Sequence, residues 1–230
     1  MNRWFSGYSF HHLLLWLFIY LVAGPFLQGL PHAKIILSIV ISSVLFFAVY
    51  TINQQSPLFK SSIFLMGATL LLIWCDVLHL VKLPPSLNTA VMLIYIGLLI
   101  YSFTRYVFRA KVVTGSLICA ALCLYLLIGM FWGLLYEVVE SLAPGSFAGD
   151  LLKGSASAME MRQHFQYFSF VTLTTLGYGD ILPKSAGASA LCHTEAIMGQ
   201  FFMTVLVARL VGLQVSQQAC DLLNRQEEKN

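Results

Sequence analysis

Apolar residues along this chain come in long unbroken runs, not in the alternation of a half-buried strand or the stripe of a surface helix. Crossing the hydrocarbon core of a bilayer takes about 20 apolar residues in a helix. Six runs reach that length: 11–29, 33–52, 62–81, 87–104, 112–137 and 188–213. The pattern predicts an all-α membrane protein with six transmembrane helices. Between the fifth and sixth lies a shorter apolar run, 164–174, roughly half the length needed to span. It is expected to be a re-entrant helix, tolerated at membrane depth because protein surrounds it. The first run imitates a signal peptide, with Arg3 ahead of it and the small pair Ala23-Gly24 inside it. The apolar stretch continues through Pro25-Phe26-Leu27 with no clear cleavage site, so it is read as a span.

Composition agrees. The 230 residues are 58% hydrophobic and only 10% charged, with a mean hydropathy of +0.79. Soluble domains carry roughly 25% charged residues. The net charge of +3 is small, and no lysine-rich block, zinc spacing or RNA-binding motif suggests a nucleic-acid partner. Of the five cysteines, Cys75, Cys119, Cys123 and Cys192 lie within apolar runs, and none, Cys220 included, forms a Cys-x-x-Cys pair. They are expected to pack as small hydrophobes, without a disulfide framework.

The short run leads directly into Thr175-Leu176-Gly177-Tyr178-Gly179-Asp180. A dehydrated cation needs oxygen dipoles in place of its water, and rings of backbone carbonyls can supply them. For successive carbonyls to point one way, alternate residues must leave the usual dihedral basin, which Gly177 and Gly179 can do without steric cost. The wording resembles the selectivity filter of tetrameric P-loop potassium channels, usually Thr-Val-Gly-Tyr-Gly. The resemblance extends from Leu127 to about Gln217 and follows the pore domain of bacterial members. It implies potassium sites formed by the carbonyls of Thr175, Leu176, Gly177 and Tyr178, with Gly179 completing the filter and the Thr175 hydroxyl adding an inner layer. It implies support from Thr174, Tyr167 and Asp180. Many members tie the aspartate to an aromatic donor thirteen positions earlier, here Tyr167, whose phenol can donate. Others place a glutamate nine positions before the aspartate, where this chain has Val171. Leu176 stands where valine is usual, its side chain expected behind the filter and its carbonyl still toward the ions. The resemblance also makes Gly199 a gating hinge, with close helix packing as the alternative role. It turns Gln200, Met203, Val207 and Val211 toward a cavity, with Val211 and Val215 at a hydrophobic constriction. Arg209 is expected to snorkel to the cytoplasmic surface.

One chain supplies one filter strand and contains no internal repeat, so the expected unit is a homotetramer embedded in membrane lipids. Conduction needs no cofactor beyond the permeant potassium ion and no enzymatic chemistry. If the loop enters from outside, Arg3, Lys60, Arg105, Arg109, Lys111, Arg209, Arg225 and Lys229 are cytoplasmic. Lys34, Lys82, Lys153, Arg162 and Lys184 are then external. That bias has the sign of the positive-inside rule and places both termini in the cytoplasm of a cell-membrane protein. Six of the ten acidic residues (Glu137, Glu140, Asp150, Glu160, Asp180 and Glu195) fall near the expected outer mouth. They either raise the local cation concentration or simply solvate a loop.

The expected organisation is a four-helix membrane domain, 1–110, in the position of a voltage sensor, then a pore domain, 111–217, and a short cytoplasmic tail, 218–230. The turret 138–163 is expected to be flexible. A voltage sensor needs about 3–4 charges per subunit in the field, and the fourth run has none; Arg105, Arg109 and Lys111 follow it. Weak or absent arginine-driven voltage sensing is expected; the gating stimulus stays open, and an unidentified cytoplasmic regulator is a candidate partner. Two other functions compete. One is a membrane transporter or enzyme using Asp76, His79 and Glu195, where Asp76 and His79 lie one turn apart. The other is a regulatory P-loop subunit that conducts with poor selectivity.

Overall fold

The computed structural model describes residues 5–27, 32–52, 57–78, 84–153 and 157–227. Arg3, His79, Lys82 and Lys229 lie outside the described residues. Among the described residues, six helices are long and apolar enough to cross a membrane, as the runs predict: α1 (Phe5–Leu27), α2 (Ala33–Thr51), α3 (Pro57–Val77), α4 (Pro85–Arg109), α5 (Gly115–Leu142) and α8 (Ala186–Glu227). The protein is a multi-pass, all-α membrane protein. Between α5 and α8 lie strand β1 (Phe147–Gly149), the single turn α6 (Asp150–Lys153), helix α7 (Ala158–Leu173) and strand β2 (Ile181–Pro183).

Local chemistry sets several boundaries. Proline ahead of and at the first position of α4 costs no helical hydrogen bond there. The Thr114 hydroxyl caps α5 by accepting from the Leu117 N–H at 3.2 Å. Ser157 does the same for α7, accepting from the Glu160 N–H at 3.2 Å. Ser157-Ala158-Met159-Glu160 has the spacing of a capping box. It starts α7 six residues before the apolar run at 164, because a polar first turn carries no hydrophobic signal.

Helices α1 to α4 pack in sequence order as a bundle, and both α1 and α4 lie against α5. The connection from α4 to α5 is only residues 110–114, so the bundle rests on its own chain's α5. Helix α7 packs against α5 on one side and α8 on the other. Arg105 and Arg109 belong to α4 itself, near its C-terminal end, where they were expected to follow the helix. Arg209 reaches toward the connection that follows α4. Its guanidinium donates to the Ala110 carbonyl at 2.9 Å and stacks over the Phe108 ring. Gln217 also reaches the connection, accepting from the Val113 N–H at 3.1 Å. Helix α8 continues without a break past 217, so the expected tail extends the helix through Glu227.

The expected flexible turret is partly ordered. β1 pairs antiparallel with β2, Phe147 opposite Pro183 and Gly149 opposite Ile181. Glu140 accepts from the Gly145 and Phe147 N–H groups and so holds the turn that launches β1. Phe147 closes an aromatic cluster with Tyr136, Phe165 and Phe168.

At the α7 N-terminal end, Arg162 donates to both Glu137 oxygens, at 2.8 and 3.1 Å, and to the Thr89 hydroxyl at 2.9 Å. Thr89 also donates to Glu137 at 2.7 Å. The pair is largely buried, with side chains 16% and 11% exposed. Burial opposes the guanidinium charge, but Glu137 foremost, together with Tyr20 and Asp76, holds the Arg162 pKa above its ordinary value. Breaking such a pair strands a charge and costs about 3–5 kcal/mol, whereas replacing both partners with apolar groups is often near neutral. Arg162→Met should therefore lower stability by about that amount, and Arg162→Met with Glu137→Leu should recover most of it. Thermal unfolding of the purified protein in detergent measures both.

Candidate functional site

The loop 174–180 is built on the open end of α7. The last carbonyls of a helix lack partners within it, and here the loop amides take them. The Thr174 N–H donates to Phe170, Thr175 to Thr172, and Leu176 to Val171, at 2.9–3.1 Å. The Thr174 hydroxyl also donates to the Phe170 carbonyl at 2.6 Å. Among the described residues, no backbone N–H donates to the carbonyls of Thr175, Leu176, Gly177 or Tyr178. The first amides of the loop go to α7, and the row of carbonyls is left without backbone donors.

Backbone conformation alternates along that row. Thr175, Gly177 and Gly179 have φ of 58°, 60° and 76°, while Leu176 and Tyr178 between them are not left-handed. The two glycines adopt this basin readily; a residue with a side chain loses about 1–2 kcal/mol there, and Thr175 is the one that does. That cost was not legible in a sequence where only the glycines announce themselves. The Thr175 hydroxyl accepts from the Gln200 side-chain amide at 3.3 Å, which brings α8 to the inner end of the loop.

The outer end is braced at Asp180. The Tyr167 phenol donates to Asp180 Oδ2 at 2.6 Å, and Oδ1 accepts from the Ile181 N–H at 3.0 Å. Partial burial and then this bond push the Tyr167 phenol up to about 12. β2 follows immediately, so the strand pairing and the Asp180 contacts fix the same exit.

Close packing fixes the rest. A Cβ on Gly133 would lie 2.9 Å from the Gln166 backbone, so α5 admits α7 only at a glycine. Gly199 plays that part on α8: a Cβ there would collide with the Leu173 carbonyl oxygen and come 3.0 Å from Leu173 Cδ1. Of the two roles read for Gly199, the contact accounts for close packing. Further along α8, Gln200, Met203, Val207, Val211 and Val215 are all exposed on the single chain. Leu206 on another face is buried, and Phe202 stacks on Tyr125.

The acidic residues near this end are mostly engaged with the protein. Besides Glu137 and Glu140, Asp150 pairs with Lys153. Glu195 is fully buried between Tyr136 and Ser169, whose hydroxyls contact its carboxyl. Asp76 pairs with Lys34 at 3.2 Å, so Asp76 and Glu195 have separate protein partners. The sequence reading missed the Glu195 contacts because their three helices meet only in the fold.

Residues 156–214 match a protein-family model described as an ion channel. Over this segment the chain is similar to an ion-channel family. The match covers α7, the loop, β2 and most of α8, the elements that carry the geometry above. Comparison with curated proteins and with solved structures gave no match.

Two substitutions test this construction. Tyr167→Phe removes the donor to Asp180 and should loosen the loop exit, read as faster hydrogen exchange at the Ile181 amide. In the native protein the protonated phenol donates, so its contribution is complete below the ordinary tyrosine range of about 10. It should be lost as pH rises through about 12. Gly199→Ala should force α8 off α7 and, like other overpacking, destabilise by about 1–3 kcal/mol. If Gly199 serves only as a hinge, the alanine variant will change opening while its melting temperature stays constant.

Proposed function

We propose that four copies of this chain form a potassium-selective channel, with the Thr175–Gly179 backbone as its filter. The observation that carries this reading is the row of four unclaimed carbonyls on a backbone whose φ alternates in sign. Four such strands around an axis supply rings of oxygen dipoles able to replace the hydration shell of a potassium ion. The Thr-Leu-Gly-Tyr-Gly wording supports potassium over other cations. A ring requires more than one strand, which supports the homotetramer.

On this reading the exposed Gln200–Val215 face lines the conduction path below the filter, with Val211 and Val215 at its narrowest point. Asp180 and the β1–β2 ribbon form the outer mouth. Leu176 changes the packing behind the filter and leaves the carbonyl count unaltered. Arg105 and Arg109 are two charges at one end of α4, short of the 3–4 that a steep sensor uses, so gating is not driven by arginine movement. The Arg105, Arg109 and Arg209 end is cytoplasmic.

Purified protein in lipid vesicles should carry potassium and exclude sodium, and barium should block the flux. Equal sodium and potassium flux would support a poorly selective subunit, and no flux would overturn the channel reading. In planar bilayers the conductance should vary only weakly with voltage. A steep curve that disappears in Arg105→Gln would overturn that expectation.

A further inference from the structure

Glu195 is a carboxyl with no exposed surface, on the transmembrane helix α8. Its surroundings come from three helices. From α5, the Tyr136 phenol donates to Oε2, and Tyr125 interacts with it electrostatically. From α7, the Ser169 hydroxyl contacts Oε1. On α8 itself, Cys192 lies one turn away beside Tyr136. Among the described residues, no lysine, arginine or histidine forms an ion pair with it.

The hydrogens can be counted. Ser169 Oγ is also 2.7 Å from the Gly129 carbonyl oxygen of α5. A serine hydroxyl carries one hydrogen and can donate it once. It therefore cannot satisfy both Gly129 O and an ionised Glu195 Oε1, and one of the two contacts would set lone pair against lone pair. A single further proton removes the conflict. With a hydrogen on Oε1, Glu195 donates to Ser169, Ser169 donates to Gly129, and Tyr136 donates to Oε2. Every atom then has a partner, and no unpaired charge is buried in the apolar interior, where it would be costly.

We propose that Glu195 is held as the un-ionised acid and is a positioning residue. Its carboxyl links α8 to α5 through Tyr136 and to α7 through Ser169, and so sets the height of α7 under the loop. The consequence for conduction rests on the channel reading above; the proton itself does not. Ser169 lies two residues before Val171, whose carbonyl accepts from Leu176, so a shift of α7 passes straight to the filter backbone. Glu195 touches no permeant ion and acts only through α7.

Infrared difference spectra of the full-length protein in lipid vesicles test the proton directly. At neutral pH, wild type minus Glu195→Gln should show the carbonyl stretch of a protonated carboxylic acid. That band should move to lower frequency in deuterium oxide and to higher frequency in Tyr136→Phe, which removes the donor to Oε2. A difference spectrum holding only ionised-carboxylate bands overturns the proposal, as does an acid band unmoved by Tyr136→Phe. Positioning is read from a conservative pair. Glu195→Gln keeps the size, can still donate to Ser169 and accept from Tyr136, and should retain the wild-type melting temperature and potassium-over-sodium flux ratio. Glu195→Asp withdraws the carboxyl by one methylene and should lower both. Aspartate equal to wild type in both measures would overturn the positioning role. Absence of flux in wild type would overturn the channel reading alone, because the band and the melting temperatures are read without conduction.

Discussion

On the channel reading the loop 174–180 lies at membrane depth, where a backbone must find its hydrogen-bond partners within the protein, and it meets that demand only in part. Its first amides are satisfied by the carbonyls that α7 leaves open at its C-terminus. The carbonyls that follow are left without backbone donors. That imbalance is what the surrounding structure supports. A helix lacking an open C-terminal end at this point could not take up the amides, and a loop without three left-handed residues could not alternate as this one does. The short helix, the positive φ values and the free acceptors are parts of a single arrangement.

Holding that arrangement requires α7 to be fixed along its whole length. The N-terminal end is fixed by Arg162, which joins Glu137 of α5 and Thr89 of α4. The middle is fixed by Ser169, between Gly129 of α5 and Glu195 of α8. The C-terminal end is fixed by the close approach of Gly199 to Leu173. The attachments differ in kind: an ion pair, a neutral hydrogen-bond chain and a steric fit. The ion pair brings two compensating charges together at the start of α7 and the un-ionised chain buries none, both in keeping with the cost of burying an unpaired charge.

The sequence carried the helices and the loop because their signals are local. A run of apolar residues has one reading at bilayer length, and Gly177 and Gly179 are informative wherever they stand. It carried the Tyr167–Asp180 bond only through a family resemblance that supplied the spacing of thirteen. It did not carry the β1–β2 ribbon, because three residues of Phe-Ala-Gly are too few for a periodic signal. The partner of Arg209 was hidden for a related reason. A charge at the end of a span is ordinarily a snorkelling group, and its partner Ala110 contributes a backbone oxygen, which no side-chain pattern announces. The start of α7 was legible in Ser157 and Glu160, but a capping box counts only when a helix is already expected there.

The first four helices gain a physical role from where they touch the rest. At one end, Thr89 of α4 shares hydrogen bonds with Glu137 and Arg162, so α4 and α7 are joined through one carboxylate. At the other end, Arg209 and Gln217 of α8 hold the backbone of the connection between α4 and α5. The two contacts grip the same stretch of chain, α4 with its short connection, at opposite ends. A displacement of α4 along its axis would therefore strain the start of α7 and the far end of α8 together. A bundle with few charges in its fourth helix can in this way still constrain the loop and the exposed α8 stripe, through packing and hydrogen bonds and without a sensor's array of arginines.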